Sequence, residues 1–78
     1  MSTIASLRIG ESAIISEESL HNIPLKLLEM GCIPGAEVSL IQIAPFNDPL
    51  YININGSHLA IRKEIAAIIK ITNDNLNE

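Results

Sequence analysis

The strongest local signal in the chain is the run Leu50-Tyr51-Ile52-Asn53-Ile54-Asn55-Gly56-Ser57-His58-Leu59-Ala60-Ile61. Asn55-Gly56 tolerates a positive φ at both positions, as a two-residue type I′ hairpin turn requires. That turn puts Leu50, Ile52, Ile54, Leu59 and Ile61 on one face and Tyr51, Asn53, His58 and Ala60 on the other. Because a shift of one residue would expose the whole apolar set, the pattern predicts a single register, with Ile54 opposite Ser57.

Three further strands are predicted around this hairpin. Residues 11–16 form a short apolar run, and residues 36–43 form a longer one with apolar side chains on both faces. We therefore expect the second run to be a strand with two largely covered faces. Residues 68–72 are predicted to supply a closing strand, because isoleucine favours a pleated surface.

A short helix is predicted between the first two strands. Leu20, Ile23, Leu27 and Met30 recur at helical spacing. Pro24 is compatible with a first helical turn, and Asn22 is a candidate N-cap. Gly31 is suited to the left-handed residue that ends a helix, and Pro34-Gly35 is typical of a type II turn. A second helical turn is predicted at residues 63–67.

The fold class that follows is mainly β: a small barrel of about five strands with one short inserted helix. Closing the barrel would remove the exposed edges of an isoleucine-rich sheet. The residue pattern leaves an SH3-like and an OB-like barrel both open. We expect one domain over residues 1–78, with its core at about 7–72 and a polar tail at 73–78.

Composition excludes several classes of protein. The chain has 78 residues, a net charge of −4 and five basic residues against nine acidic ones, so we expect no nucleic-acid partner. One cysteine cannot form an internal disulfide. The N-terminal residues lack the apolar segment of a signal peptide, and no apolar run is long enough to span a bilayer. We therefore expect a cytoplasmic protein.

No catalytic or cofactor-binding constellation is found in the sequence. Four glycines do not form a phosphate-binding loop, and we predict no enzymatic activity and no resident cofactor. Glu29 and Glu64 each stand alone, whereas acid–base catalysis needs paired groups in a pocket.

The candidate metal donors, Cys32, His21 and His58, lack metal-site spacing. We therefore assign no metal ligand, interpret Cys32 as a small buried residue, and expect both histidines to be solvated. Weak binding of divalent iron or manganese, completed by carboxylates, stays open as an alternative.

The loop over residues 44–49 has two interpretations. Pro45 and Pro49 restrict its backbone, which favours a rigid connection with Asp48 capping the turn. The alternative is an exposed contact in which Phe46 is an apolar anchor.

Three ordered segments resemble the FeoA family of ferrous iron transport proteins. The first is Leu27-Leu28-Glu29-Met30-Gly31-Cys32-Ile33-Pro34-Gly35-Ala36-Glu37-Val38, similar to L-x-x-[LM]-G-x-x-P-G-x-x-[VF]. The second, Ala44-Pro45-Phe46-Asn47-Asp48-Pro49-Leu50, is similar to A-P-x-G-D-P-[IL]. The third, from Leu59 to Ile71, is similar to L-x-L-R-x-x-x-A-x-x-I-x-V. Asn47 stands where the family often has glycine, and asparagine also tolerates the left-handed region.

This resemblance implies an SH3-like barrel with a helical insertion and no enzymatic activity. It implies a partner, the FeoB-like membrane iron transporter with a cytoplasmic GTP-binding portion, so that the chain is peripheral to the membrane only through that partner. The candidate contact residues are Leu27, Met30, Gly31, Pro34, Gly35 and Phe46. The alternative is a transition-metal-sensing module related to the C-terminal domain of iron- and manganese-dependent repressors. Self-association through an apolar face is also left open.

Overall fold

The computed structural model describes residues 2–72. The strands are β1 (Ser12–Ile15), β2 (Glu37–Ile43), β3 (Leu50–Ile54), β4 (Ser57–Ile61) and β5 (Ile71–Thr72). The α-helices are α1 (Leu25–Glu29) and α2 (Lys63–Ala66), and 3₁₀ helices span Ile4–Ser6, Glu17–Asn22 and Pro45–Asn47. The mainly β prediction is confirmed, and α2 lies where a second helical turn was predicted. The predicted polar tail falls outside the described residues.

The β3–β4 hairpin has the predicted register in full. Ile54 pairs with Ser57, Ile52 with Leu59, and Leu50 with Ile61. The turn residues have positive φ, 50° at Asn55 and 91° at Gly56, as a type I′ turn requires. The five predicted apolar side chains of this hairpin are all buried.

The five strands form one antiparallel sheet in the order β4-β3-β2-β1-β5. The closing strand is shorter than predicted, since β5 begins at Ile71 and Ile68 is exposed. The chain before β1 lies beside β5, where Thr3 bridges to Lys70. Buried Ser19 holds the second 3₁₀ helix against the same residue, because its hydroxyl donates to the Lys70 carbonyl and accepts from the Lys70 N–H.

The prediction of two covered faces for the second strand is wrong. Val38 and Leu40 are buried, whereas Ile41 and Gln42 are exposed. The β2–β3 pairing is irregular between Leu40 and Gln42, where a bulge adds one residue to β2. Because of this extra residue, Ile43 again faces the core. Apolar residues at even positions before the bulge (Val38, Leu40) and at an odd position after it (Ile43) therefore lie on the same inner face.

The predicted helix is divided into two short pieces. Ile23 and Pro24 are extended, so α1 begins after Pro24 and Asn22 is not its N-cap. Of the predicted apolar stripe only Ile23 is fully buried, while Leu20 and Met30 are exposed. His21 lies near the end of the 3₁₀ helix and is exposed, as expected. The restriction that proline places on the preceding residue accounts for the break.

The core lies between the inner face of the sheet and the short helices. Its fully buried side chains include Ile4, Ile15, Leu40, Ile52, Ile54 and Ile69. Ile4 lies before the core region expected from the sequence. Within residues 2–72, no helix has the length and apolar character needed to cross a bilayer.

Candidate functional site

The segment after α1 is held by a hydrogen-bonded helix stop. The Gly31 N–H donates to the Leu28 carbonyl at 3.0 Å, and the Cys32 N–H donates to the Leu27 carbonyl at 3.0 Å. This pair of bonds is the Schellman motif, which requires a left-handed residue at its centre. Gly31 has φ 98°, so the prediction that it ends the helix is confirmed.

Pro34 and Gly35 form the predicted type II turn. The Ala36 N–H donates to the Ile33 carbonyl at 3.0 Å, and Gly35 has φ 92°. The Gly35 N–H also donates to the Ile15 carbonyl at 2.9 Å, which fixes the turn against β1. These backbone bonds give the whole segment a defined conformation.

Exposed apolar side chains lie along this fixed backbone. Met30 and Ile33 are each 45% exposed, and Leu25 at the start of α1 is 69% exposed. Leu27 is half-buried and packs against the core. We call Leu25, Leu27, Met30, Ile33 and the Pro34–Gly35 turn the α1 surface. The contact residues predicted from the sequence did not include Leu25 or Ile33. Both are apolar, Leu25 follows Pro24 and Ile33 precedes Pro34, and the prediction used both prolines.

Phe46 is the most exposed large apolar residue that the structure describes, at 97%. Its φ is 67° and that of Asn47 is 65°, so both adopt the left-handed region that L-residues rarely occupy. The loop is closed by a bond from the Ala44 N–H to the Pro49 carbonyl at 3.1 Å. The fixed backbone therefore presents the Phe46 ring to solvent.

Asp48 has a different role from the one predicted. Its carboxylate accepts the Lys63 N–H at 2.9 Å, so it caps the start of α2 instead of its own turn. Two clefts adjoin this loop, one of about 340 Å³ lined by Asp48, Pro49, Ala60 and Arg62, the other of about 240 Å³ that includes Lys63 in its wall. Arg62 therefore lines one of these clefts and Lys63 the other.

The candidate contact residues form two separate surfaces. Gly31 lies near Ile54, where β3 enters the hairpin turn, since an added Cβ would be 3.8 Å from the Ile54 side chain. Phe46 lies in the connection from Ile43 to Leu50, at the opposite end of β2 and β3. At about 3.3 Å per residue, the ends of β2 are roughly 15–20 Å apart. The structure therefore does not bring Phe46 together with the α1 surface.

The candidate metal donors are not assembled into a site. Cys32 is fully buried among apolar side chains, and burial raises the pKa of its thiol from the ordinary value of 9.0. His58 lies on the outer face of β4 opposite Asn53, and His21 is exposed. In the part of the chain that the structure describes, no three histidine, cysteine or carboxylate residues are grouped to hold a metal ion. Glu29 and Glu64 are exposed and lie on different helical segments.

Comparison with known sequences gives a consistent result. A family model described as the FeoA domain matches residues 2–73. The chain is 32% identical over 69 residues to an Fe(2+) transport protein A/Fe(2+) transporter FeoB fusion protein of Porphyromonas gingivalis. The match covers 87% of this chain and only 8% of that protein.

Solved structures with the same fold are also similar. The solution structure of FeoA from Chlorobium tepidum superposes with a TM-score of 0.79 at 27% identity, over 90% of this chain and 68% of that one. FeoA of Stenotrophomonas maltophilia, solved with zinc and described as an SH3 domain protein, gives 0.73 at 25% identity, over 92% and 91%. The SH3-like alternative is thereby confirmed over the OB-like one.

A manganese-dependent transcriptional repressor has a similar fold. Its TM-score is 0.75, over 92% of this chain and 41% of that one. The sequence identity is 9%, so this likeness concerns the fold alone.

Proposed function

Since the chain belongs to the FeoA family, we propose that it is a cytoplasmic accessory protein of ferrous iron uptake that binds a FeoB-like membrane transporter. The observation that carries this proposal is the P. gingivalis relative, in which a region similar to this chain is fused to FeoB in one polypeptide. Fusion keeps two partners at a high effective concentration, which favours contact between them. The cytoplasmic GTP-binding portion of the transporter is the proposed point of contact.

The α1 surface is the proposed contact site on this chain. Protein interfaces are dominated by a few apolar side chains held on a well-defined backbone. Met30 and Ile33 are exposed on the backbone that the Schellman motif and the type II turn fix, and Leu25 is exposed at the start of α1. Gly31, Pro34 and Gly35 are proposed to act by setting that backbone, and Leu27 by supporting Met30 from the core side.

Co-purification from detergent-solubilised membranes tests the proposal. Tagged protein is expressed with a FeoB-like transporter, and the recovered transporter is quantified for the parent and for Met30→Ser. We expect Met30→Ser to reduce recovery by about tenfold, the loss of an interface side chain worth roughly 1–2 kcal/mol.

Ile68→Ser is the matched control, because Ile68 has the same 45% exposure as Met30 but lies after α2. We expect this variant to recover the transporter as the parent does. Absence of the transporter from the parent's eluate would refute the proposed partnership. Equal losses for Met30→Ser and Ile68→Ser would refute the α1 surface as the contact.

Phe46 is proposed as a second contact with the same partner, because its ring is 97% exposed on a loop whose residues line clefts that also include Arg62 and Lys63. Phe46→Ser is expected to reduce transporter recovery without changing the thermal unfolding midpoint, since the ring contributes little burial to the fold. An unchanged recovery would remove Phe46 from the interface and leave the α1 surface as the contact.

A metal-sensing module is the second candidate function, favoured by the repressor-like fold. It requires a divalent ion to bind this chain directly. Anaerobic titration with Fe²⁺ or Mn²⁺, repeated with His21, His58 and Cys32 replaced in turn, tests it. Stoichiometric binding that one of these substitutions abolishes would support metal sensing, and its absence at micromolar ion would reject it.

A further inference from the structure

The two edges of the sheet differ in how they are covered. At the β5 edge, the Ile4 N–H donates to the Ile69 carbonyl at 3.0 Å, and the Ile71 N–H donates to the Ser2 carbonyl at 3.0 Å. The chain before β1 therefore lies along the outer side of β5. The other edge of the sheet is β4, and no segment of residues 2–72 pairs with its outer side.

The register identifies the backbone groups of β4 that face outward. In a two-residue hairpin, the residues that flank the turn, Ile54 and Ser57, form a hydrogen-bonded pair, and such pairs alternate along the strands. Leu59 and Ile61 therefore bond to β3, while the N–H and C=O groups of His58 and Ala60 point away from it. Both residues are exposed, and in the described chain neither backbone has another hydrogen-bond partner.

The β4 edge also lacks the features that natural proteins use to block edge pairing. Those features are charged side chains, proline, bulges, very short strands and covering segments. β4 has five residues, Ser57-His58-Leu59-Ala60-Ile61, and contains no lysine, acidic residue or proline. The bulge of the sheet lies in β2, away from this edge. Such an edge is a template for another extended strand.

We propose that β4 pairs antiparallel with β4 of a second copy of this chain, about a two-fold axis at Leu59. This axis places His58 of each copy opposite Ala60 of the other copy. The outward N–H and C=O groups of these residues then form four hydrogen bonds, and none of the outward groups is left without a partner. The product is a continuous ten-stranded sheet.

The strand is self-complementary, which is the reason for choosing a second copy as the occupant. A two-fold interface must bring the same surface against itself without like charges opposed. Within β4 no charged residue is present, so the net charge of −4 on each copy does not fall at the paired strands. Leu59, which lies nearest the axis, is apolar and buried in its own core, so the axis brings no charged side chain against its copy.

The interface formed by one five-residue edge is small. Pairing of two edges of this length buries less accessible surface area than the roughly 1,200 Å² typical of stable complexes. The dimer is therefore reversible and forms as the protein concentration rises. This property distinguishes it from an obligate dimer, in which the folded monomer is absent.

Sedimentation equilibrium and amide NMR together test the proposal, with protein concentrations up to about 1 mM. We expect the average mass to rise from 8.5 kDa toward twice that value as concentration increases. Over the same series, the amide signals of His58 and Ala60 should shift, while those of Leu59 and Ile61 should change less. A mass that stays at one chain throughout, with unshifted β4 signals, would overturn the proposal.

Two edge variants and one control sharpen the result. Ala60→Pro removes an outward N–H without removing a β3–β4 hydrogen bond, as edge strands permit, and Ala60→Lys places a charge at the pairing position. Gln42→Lys adds the same charge on β2, away from the edge. We expect both Ala60 variants to stay monomeric with native-like spectra and Gln42→Lys to dimerise as the parent does.

Dimerisation that survives both Ala60 variants would overturn the proposal. So would a parent whose β4 signals shift only when the GTP-binding portion of the transporter is added, since the edge would then belong to that partner. Because these measurements use this chain alone, their outcome is separate from the co-purification with the transporter.

Discussion

Gly31 shows how one residue determines the shape of the α1 surface. An added Cβ there would meet Ile54 at 3.8 Å, which is ordinary contact, so space does not require glycine. The left-handed backbone does, because its φ is 98°. We expect Gly31→Ala to lower the free energy of unfolding by about 1–2 kcal/mol, and Gly31→Val by more, measured by urea denaturation.

Asparagine at position 31 is the informative control, because it visits the left-handed region more readily than alanine. We expect Gly31→Asn to lose less stability than Gly31→Ala. If the alanine and valine variants unfolded at the same urea concentration as the parent, the Schellman assignment would be wrong.

Cys32 makes stability depend on pH in the alkaline range. Burial raises the pKa of its thiol above the ordinary value of 9.0, so the unfolded chain loses this proton more readily than the folded one. Its contribution to stability is complete below pH 9 and declines as pH rises through the folded-state pKa. We expect the free energy of unfolding to fall above pH 9, by at most about 1.4 kcal/mol per pH unit from this group.

Cys32→Ala provides the comparison for this pH dependence. The substitution removes volume from the core, so it lowers stability at every pH, but it also removes the titrating thiol. The difference in unfolding free energy between parent and variant should therefore narrow above pH 9. Parallel curves for the two proteins over that range would contradict the buried-thiol explanation.

At the level of elements, Asp48 joins the Phe46 loop to α2. Its carboxylate accepts the Lys63 N–H at the first turn of that helix. We expect Asp48→Ala to cost about 0.5–2 kcal/mol in unfolding free energy, as the loss of a helix-capping side chain does. Asp48→Asn keeps an acceptor and should cost less. If amide hydrogen exchange in Asp48→Ala is faster at Lys63 but unchanged in β1, the loss of stability is confined to the start of α2.

Elements defined by contacts between residues close in sequence were predicted correctly, and those defined by contacts between distant residues were not. The β3–β4 hairpin was predicted with every pair correct, because its turn and its alternation are local. The β2 bulge was not predicted, because apolar residues at both even and odd positions are also what a regular strand with two covered faces would have. The Asp48 cap was missed because its partner, Lys63, is 15 residues away.

The candidate site was predicted less completely than the fold. Gly31 and the Pro34–Gly35 turn have the predicted conformations because glycine and proline determine them locally. The separation of Phe46 from the α1 surface could not be predicted, because it depends on the assembled sheet. The two segments lie at opposite ends of β2 and β3. The position of the 3₁₀ helix before Ile23 likewise depends on Ser19, whose partner Lys70 is distant in sequence.

For the whole molecule, the segment before β1 contributes two buried side chains, Ile4 and Leu7, to the core. Ile4 has no exposed surface, and its N–H bonds to Ile69. We expect Ile4→Ala to lower the free energy of unfolding by about 2–5 kcal/mol, as truncation of a buried isoleucine does elsewhere. Ile9→Ala is the control, since Ile9 is exposed, and it should be near neutral. Equal stability of the two variants would show that the segment does not pack in solution.

The distance between the α1 surface and Phe46 has a thermodynamic consequence. Substitutions more than about 10 Å apart that share no contacts usually act additively in free energy. If both surfaces touch the transporter, the fold-losses of affinity from Met30→Ser and Phe46→Ser should therefore multiply in the double variant. A double variant that binds no more weakly than Met30→Ser would mean that the transporter engages one end of the molecule, leaving the other end accessible while the complex is intact.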